Sequence, residues 1–341
     1  MSCQCFIIPT DVLERFARDT SLSESQRKSF ADTAQFDKAW RNVRTAHGKM
    51  SAAATAMLAP GVERAAPPAV SVYNCNHGTT LPGAPVPPAP ADATSRRVIV
   101  VTTAVAAFYQ KLFERNSVDD AGKALMSSIH FSVNYNNAYW NGTQMTYGDG
   151  DGNIFIDFTR SDDVIGHELT HGVTQYSSQF AYTNEAGGLN ESMSDVFGSM
   201  FRQWRAKQTV DKADWLIGKG IMGPGAIAKG YTCLRDMANP AAKHCLAPQP
   251  THYSKYKNGM DPHASSGIPN LAFCRAAQKI GGNSWDRAGK IWYGALTGFK
   301  PNPNMKMKSF ADRTRTLANT MFPGDPAVLA AVDNAWKGVG L

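Results

Sequence analysis

Two histidines four residues apart, with a glutamate beside the first, are the residues of this chain best suited to carry chemistry. They lie in the run DDVIGHELTHG at positions 162–172. On a helix, His167 and His171 project from one face and can bind the same zinc ion. Glu168 follows His167 and lies beside the face that carries the two histidines. There its carboxylate can take a proton from a zinc-bound water. The spacing therefore predicts a zinc site with a general base next to it.

A third zinc ligand is available downstream, in the run NESMSD at positions 190–195. Glu191 and Asp195 are again one helical turn apart. Glu191 can complete a His, His, Glu site, and Asp195 can accept a hydrogen bond from a ligating imidazole and fix its tautomer. The alternatives are a helix with two solvated histidines and a surface pair of carboxylates. The two motifs together favour the metal site.

The elements that must position these motifs indicate an α+β chain. Between 129 and 158, apolar and polar residues alternate around Asn-Gly and Asp-Gly pairs, which predicts antiparallel strands and tight turns. Helical patterns span 98–115, 162–177, 186–206, 266–281, 284–297, 308–320 and 326–337. We therefore predict a β-rich N-terminal lobe at 69–177 and a mainly helical C-terminal lobe at 178–341, with the chemistry between them.

The first 48 residues differ in character from the rest. They are charged, with helical patterns near 12–18 and 23–44, and small residues and prolines follow at 49–68. Small residues followed by prolines, as at 49–68, bury little apolar surface and are typical of a linker. The apolar run at 6–8 ends at Pro9 and lacks the h-region of a secretory signal peptide. We expect residues 1–48 to be a removable inhibitory leader, and the protein to be cytoplasmic or exported by a non-Sec route.

Charge and hydropathy exclude two classes of partner. The net charge is +7, but lysines and arginines are scattered and form no basic runs interleaved with aromatics, so we expect no nucleic acid. The longest apolar stretch, 98–108, is shorter than the roughly 20 residues of a membrane helix, so we expect no membrane. The cysteines include no CxxC pair, which excludes a zinc ribbon. A bridge between Cys233 and Cys245 stays open, and we expect a monomer.

Further runs extend the two metal motifs: YNNAYWNG at 135–142, YGDGDG at 147–152 and HYSK at 252–255. Together these motifs resemble the thermolysin family of zinc endopeptidases, over about residues 70–341. The resemblance implies the two-lobed fold of that family, one catalytic zinc ion, and peptide or protein substrates. The short leader is similar to that of the protealysin-type branch, whose members carry a compact N-terminal propeptide.

The resemblance also assigns roles at the substrate site. Asn137 and the carbonyl of Ala138 would pair with the backbone of an extended peptide, and Arg235 would bind a substrate carbonyl. Tyr182 and His263 would stabilise the oxyanion of the tetrahedral intermediate. The residues that match the wall of the primary specificity pocket are all apolar: Phe155, Phe158, Val164, Ile217 and Leu234. They imply cleavage on the amino side of bulky hydrophobic residues.

The chain departs from the family pattern at the paired calcium site. The carboxylates of Asp163 and Asp214 remain, whereas Arg202, Leu216 and Lys219 occupy other ligand positions. Calcium needs six to eight oxygen ligands and tolerates no adjacent cation, so we expect the double calcium site to be absent. A single Ca²⁺ elsewhere stays open, with the Asp-Gly-Asp turn at 149–151 as a weak candidate and turn capping as the favoured alternative.

A second departure lies before His263, where the family has an aspartate that orients the histidine. The loop is rearranged here, and Asp261 is expected to be too close along the chain for its carboxylate to reach the ring. In the leader, Pro9 biases Ile8 toward extended geometry, so this segment could lie in the substrate groove. Alternatively, Cys3 or Cys5 could ligate the zinc as a thiolate and displace the water.

Two other functions were weighed against an endopeptidase. A zinc aminopeptidase needs an acidic group to hold the free amine of its substrate, and Asn137 offers an amide instead. A catalytically silent zinc-binding scaffold would be expected to lack part of the central motif, but His167, Glu168, His171 and Glu191 are all present. The residues therefore favour a metalloendopeptidase made as a proenzyme, with its own propeptide as a partner.

Overall fold

Alternating and apolar segments of the N-terminal half form a six-stranded mixed sheet. The computed structural model describes residues 5–47 and 67–341, and for 41–47 only the backbone. The strands are β1 (Cys5–Phe6), β2 (Val70–Asn74), β3 (Ala84–Pro85), β4 (Leu125–Ile129), β5 (Ala138–Trp140) and β6 (Met145–Tyr147), in the order β1-β5-β6-β4-β2-β3. Strands β2, β4 and β6 are parallel neighbours, and the other pairs are antiparallel. The leader therefore supplies an edge strand to the sheet.

The hairpin of β5 and β6 confirms the predicted antiparallel pair and tight turn. Asn141 and Gly142 form the turn, where the Asn141 side chain accepts hydrogen bonds from the amides of residues 143 and 144. Gly142 has φ +98°, a left-handed conformation that glycine adopts without steric cost. Strand β5 thus presents its other edge to the leader, with Cys5 opposite Trp140 and Phe6 opposite Tyr139.

Helices build the C-terminal half and flank the sheet. They are α1 (Thr10–Ala17), α2 (Glu24–His47), α3 (Ala93–Phe113), α4 (Asp162–Gln175), α5 (Asn184–Ala206), α6 (Pro224–Ala228), α7 (Pro262–Ser265), α8 (Gly267–Ile280), α9 (Ala288–Thr297), α10 (Met307–Met321) and α11 (Pro326–Lys337). A second, two-stranded sheet pairs β7 (Leu216–Ile217) with β8 (Arg235–Asp236). This two-lobed α+β architecture confirms the predicted fold class.

Two glycines allow the helices that carry the metal motifs to cross closely. A Cβ atom added at Gly166 of α4 would lie 3.1 Å from the Cα of Gly198 of α5. One added at Gly198 would lie 2.5 Å from the backbone oxygen of Asp163, so Gly198 has no room for a side chain and Gly166 has very little. Nearly every residue of α4 is buried. The close crossing places the side chains of both motifs in one buried layer.

The described part of the leader packs into the hydrophobic core of the sheet lobe. Its helices contribute Phe16 and Phe30, whose rings lie 5.1 Å apart and 6.5 and 6.1 Å from the ring of Phe155. Phe36 packs against Phe131 in the same way, with ring centroids 5.2 Å apart. Most of the predicted linker, and Cys3, lie outside the described residues. No helix in the described ranges is long and apolar enough to cross a membrane.

Candidate active site

Helices α4 and α5 bring the three predicted zinc ligands together. The Nε2 atoms of His167 and His171 are 2.9 Å apart, and the carboxylate oxygens of Glu191 lie 3.4 and 3.5 Å from them. Ligands of a tetrahedral zinc ion at 2.0–2.1 Å are separated by roughly 3.4 Å. All three side chains are buried, and Glu191 Oε2 has no hydrogen-bond partner in the described part of the chain. The donor set fits a zinc ion.

The outward ring nitrogens of both histidines are held by oxygen acceptors. His167 Nδ1 lies 2.9 Å from Asp195 Oδ1, as the sequence predicted, and His171 Nδ1 lies 2.9 Å from Asn190 Oδ1. Donation from Nδ1 fixes the tautomer and leaves Nε2 free for a metal. Asn190 belongs to the second motif, but no role was predicted for it. Its position one residue before Glu191 was the available signal.

Asp195 connects the metal ligands to Arg235. Its carboxylate accepts hydrogen bonds from Arg235 Nε at 2.8 Å and Nη2 at 2.7 Å, and from the side-chain amide of Asn270 at 2.9 Å. Burial alone would raise the pKa of Asp195, but the guanidinium and His167 outweigh it and lower the pKa to about 2. A carboxylate that stays ionised can hold both the imidazole and the arginine in place. Sequence reasoning missed Asn270, which lies 75 residues from Asp195.

Glu168 is buried beside the ligands, and neither of its carboxylate oxygens has a hydrogen-bond partner among the described residues. Burial raises the pKa of Glu168 to about 8, against a lowering effect of His167. Buried carboxylates are normally hydrogen-bonded, so an unpartnered one at a metal site indicates a place for water or substrate. This geometry suits a group that takes up and releases a proton.

Tyr182 and His263 close the other side of the site. The Tyr182 hydroxyl donates a hydrogen bond to Glu191 and lies 3.3 Å from His263 Nε2. The expectation that Asp261 cannot reach the ring of His263 was wrong. Asp261 is the N-cap of α7, and this position lets its Oδ1 accept from both the backbone N and the ring Nδ1 of His263, each at 2.8 Å. His263 Nε2 therefore faces the site.

This arrangement occurs in a chain that matches two sequence profiles of one family. The profile described as "Thermolysin metallopeptidase, catalytic domain" covers residues 91–175, and that described as "Thermolysin metallopeptidase, alpha-helical domain" covers 178–341. The chain belongs to the thermolysin family of metallopeptidases. The predicted family is thereby confirmed, and with it the assignment of the chain as a metalloendopeptidase.

Similar proteins agree with the assignment to this family. The chain is 42% identical to "Extracellular metalloprotease" of Pectobacterium carotovorum subsp. carotovorum, over 69% of each chain. It is 38% identical to "Protease PrtS" of Photorhabdus sp. (strain Az29), over 80% of this chain and 76% of the relative. The solved precursor of protealysin, a metalloproteinase from Serratia proteamaculans, aligns with a TM-score of 0.83 and 35% identity, over 98% of this chain and 99% of that one. The alignment with a precursor supports the protealysin-like branch.

The leader of this thermolysin-family chain occupies the predicted substrate groups. Ile7 N donates to the carbonyl of Ala138 at 3.0 Å, and Ile8 N donates to Asn137 Oδ1 at 2.9 Å. Arg235 Nη1 donates to the Ile7 carbonyl at 3.1 Å. His263 Nε2 hydrogen-bonds to the Phe6 carbonyl, which adds another of the predicted groups. An extended chain therefore lies along β5 in the position expected of a bound peptide.

Helix α2 of the leader contacts residues 135–137, which precede strand β5. Asp37 is fully buried and accepts hydrogen bonds from the Tyr135 hydroxyl at 2.6 Å and the Asn137 side-chain amide at 2.8 Å. Thr33 Oγ1 accepts from the backbone N of Asn136 at 3.2 Å. Sequence reasoning missed these contacts, because they join residues about 100 positions apart and have no local pattern.

The five residues predicted to line the specificity pocket are all buried in the main hydrophobic core of the chain, which also includes Ile7 and Ile8 of the leader. The rings of Phe155 and Phe158 pack at a tilt of 48° with centroids 5.4 Å apart, and the Leu234 amide donates to the Ile217 carbonyl at 2.9 Å. Their role as the wall of the specificity pocket stays a prediction.

Cys5 also lies at this site. Its Sγ, one ring nitrogen of His171 and one oxygen of Glu191 are within 4.8 Å of one another. In the structure Cys5 is held in a disulfide bond. Cys3, the other cysteine predicted to act on the metal, lies outside the described residues.

Cations surround the carboxylates that remain from the calcium site. Arg202 forms an ion pair with Asp214 and donates from Nη2 to the Leu216 carbonyl at 2.8 Å. Lys219 Nζ lies 3.4 Å from Asp214, and the Arg202 guanidinium lies 3.9 Å from Asp163. The absence of a double calcium site stays a prediction, which these ion pairs support.

Proposed function

We propose that the chain is the proenzyme of a zinc-dependent endopeptidase, with the metal on His167, His171 and Glu191. The convergence of these three ligand atoms beside the unpartnered carboxylate of Glu168 is the observation that carries the proposal. A zinc ion held there would supply Lewis acidity toward a substrate carbonyl and toward water. Glu168 takes the proton of the attacking water and passes it to the leaving amine nitrogen.

The remaining groups orient the substrate and stabilise charge. The Tyr182 hydroxyl and His263 Nε2 lie 3.3 Å apart and can both donate to the oxyanion that develops on the carbonyl oxygen. Asp261 holds His263 in the orientation required for that hydrogen bond. Arg235, clamped by Asp195, presents its remaining donor to the carbonyl of the next residue, as it now does to Ile7.

The contacts of the leader support a specificity for bulky hydrophobic residues. With the Phe6 carbonyl on His263 and the Ile7 amide on Ala138, the peptide bond between them occupies the scissile position. Ile7 then follows that bond and is fully buried. We therefore propose cleavage on the amino side of bulky hydrophobic residues. Varying this one residue in a peptide series, for example Ile, Leu, Phe, Ala and Asp, and measuring kcat/KM tests the preference.

Two variants test the chemistry. Glu168→Gln should keep the zinc and lower the turnover rate by at least roughly 10²-fold, because only the proton-handling group is lost. Glu191→Ala should lose the metal, since a ligand is removed. Near-normal activity in zinc-loaded Glu168→Gln would refute the mechanism, and full zinc occupancy of Glu191→Ala would refute its role as ligand. Cleavage of N-acetylated peptides would separate an endopeptidase from an aminopeptidase.

We also propose that residues 1–48 inhibit the enzyme until they are removed. The segment occupies the substrate groups Asn137, Ala138, Arg235 and His263, so no substrate can bind while it stays. Expressing Glu168→Ala, which cannot process itself, with and without residues 1–48 tests the idea. A peptide inhibitor should bind much more tightly to the shorter chain, and equal affinity would remove the inhibitory role.

The sulfur of Cys5 offers a second way to block the site. Ligation of zinc needs a thiolate, whereas Cys5 is disulfide-bonded in the structure. We therefore favour blocking by the chain itself. Cys3→Ser and Cys5→Ser distinguish the two versions, because inhibition that survives both substitutions comes from the chain in the groove and not from sulfur on the metal.

A further inference from the structure

A second cluster of metal-binding side chains lies in the segment 232–246, beside the strand that carries Arg235. Cys233 and Cys245 are neighbours in an isolated parallel bridge, with the Leu246 amide donating to the Cys233 carbonyl at 2.9 Å. His244 precedes Cys245, and its ring turns toward both sulfurs. The Sγ atoms of the cysteines and a ring nitrogen of His244 all lie within 4.8 Å of one another.

Two of the three distances between ligand atoms in this cluster match those around one zinc ion. The two Sγ atoms are 3.9 Å apart, and Cys233 Sγ is 3.7 Å from His244 Nδ1. Around a tetrahedral zinc with bonds of about 2.3 Å to sulfur and 2.0–2.1 Å to nitrogen, ligand atoms are separated by about 3.8 Å (S to S) and about 3.6 Å (S to N). A disulfide needs sulfurs at about 2.05 Å, so these thiols are unbonded.

The surroundings of His244 are those of a metal-ligating imidazole. Its Nε2 lies 3.3 Å from Asp236 Oδ2, while the other Asp236 oxygen accepts from the amides of Ala238 and Asn239 at 2.8 and 3.0 Å. A carboxylate on the far ring nitrogen presents Nδ1 to a metal. The Thr232 hydroxyl lies 2.8 Å from the same Nδ1, where it can give way or supply an oxygen ligand.

Burial and ligand type indicate which cation fits. The cysteines are fully buried, whereas the side chain of His244 is 38% exposed, which leaves a path from solvent and room for a water ligand. Two sulfurs and an imidazole suit a thiophilic cation and exclude calcium or magnesium. We infer that Cys233, His244 and Cys245 form a second zinc site, separate from the catalytic centre, that braces the segment carrying Leu234 and Arg235.

Metal content and cobalt spectroscopy test this inference on the full chain carrying Glu168→Gln, which prevents self-cleavage. We expect about two zinc ions per chain, and about one after Cys233→Ser or Cys245→Ser. Cys274→Ser, another buried cysteine, is the matched control and should keep both. After replacement of zinc by Co²⁺, a thiolate charge-transfer band should persist in Glu191→Ala, which empties the catalytic site, and vanish in Cys245→Ser.

Two results would overturn the inference. A single zinc ion per parent chain, with no thiolate band in cobalt-loaded Glu191→Ala, would show that the cluster binds no metal. A disulfide between Cys233 and Cys245, detected by peptide mapping of unreduced protein, would show that the pair is redox-linked instead. If the serine variants fail to fold, His244→Asn and the metal content of the parent chain still decide the matter.

Discussion

Asp37 of the leader forms a buried contact with Tyr135 and Asn137, next to strand β5. From this contact we predict how much one leader side chain contributes to the closed state, in which the leader covers the active site. Asp37 accepts hydrogen bonds from Tyr135 at 2.6 Å and from Asn137 at 2.8 Å. Each hydrogen bond to a charged group contributes about 1.5–3 kcal/mol. In Asp37→Ala both donors stay buried without this partner when the leader is in place, and water satisfies them when it leaves. We expect the closed state to weaken by about 3 kcal/mol or more.

The assay is binding of a fluorescent hydrophobic peptide to the full chain in the Glu168→Gln background. The leader competes with the probe, so a closed state weakened by about 3 kcal/mol lowers the apparent Kd of the probe by at least about 10²-fold. Asp32→Ala is the matched control, because Asp32 lies on the same helix but is 59% exposed and forms an exposed ion pair with Lys28. We expect it to change the apparent Kd less than about threefold.

Two results would refute the reasoning. If Asp37→Ala keeps its fold and zinc content but binds the probe no better than the parent, the contact does not hold the leader. If Asp32→Ala improves binding equally, the effect belongs to the helix as a whole. Asp37→Asn adds a graded point, since it keeps the shape of the side chain and one acceptor oxygen but loses the charge.

Three further predictions concern the metal site and its support. Asp195→Asn should weaken zinc binding by about 10–100-fold in a competition with a chelating dye, and unchanged affinity would contradict its role in orienting the ligating imidazole. Arg202→Met should lower the melting temperature by several degrees in calorimetry, because Asp214 loses its main cation, while a calcium-selective chelator should lower the melting temperature of the parent less than is usual for this family. Gly198→Ala should destabilise by about 1–3 kcal/mol, unlike Gly324→Ala, which has open space around it.

Local sequence patterns were enough to predict most of the helices and the β5–β6 turn. The last predicted helix, 326–337, coincides with α11, and the helix predicted at 186–206 begins only two residues earlier, at Asn184. Periodicity reports which face of a segment is buried, and that is a property of neighbouring residues. The turn at Asn141 and Gly142 was predictable for the same reason, because its geometry depends on the residues within it.

Local sequence patterns could not predict very short strands or contacts between segments that are distant in the chain. The two-residue strands β7 and β8 are too short to alternate, and β3 lies in a proline-rich stretch. The contact of Asp261 with His263 was misjudged because the N-cap geometry of the short helix α7 was not foreseen. The convergence of the three predicted zinc ligands followed from two motifs with fixed spacing on two helices. Asn270 lies 75 residues from Asp195, and only the folded chain brings the two side chains together.

The leader contacts the same backbone and side-chain groups that we propose to bind substrate, and this overlap limits which substitutions can separate inhibition from catalysis. Changes at Asn137 or Arg235 should weaken both, since each group contacts the leader and has a proposed role in binding the peptide substrate. Asp37 and Thr33 lie in the leader itself and leave with it, so their substitution changes only the closed state. A variant at either position that releases the leader must therefore keep the kcat/KM of the processed enzyme unchanged.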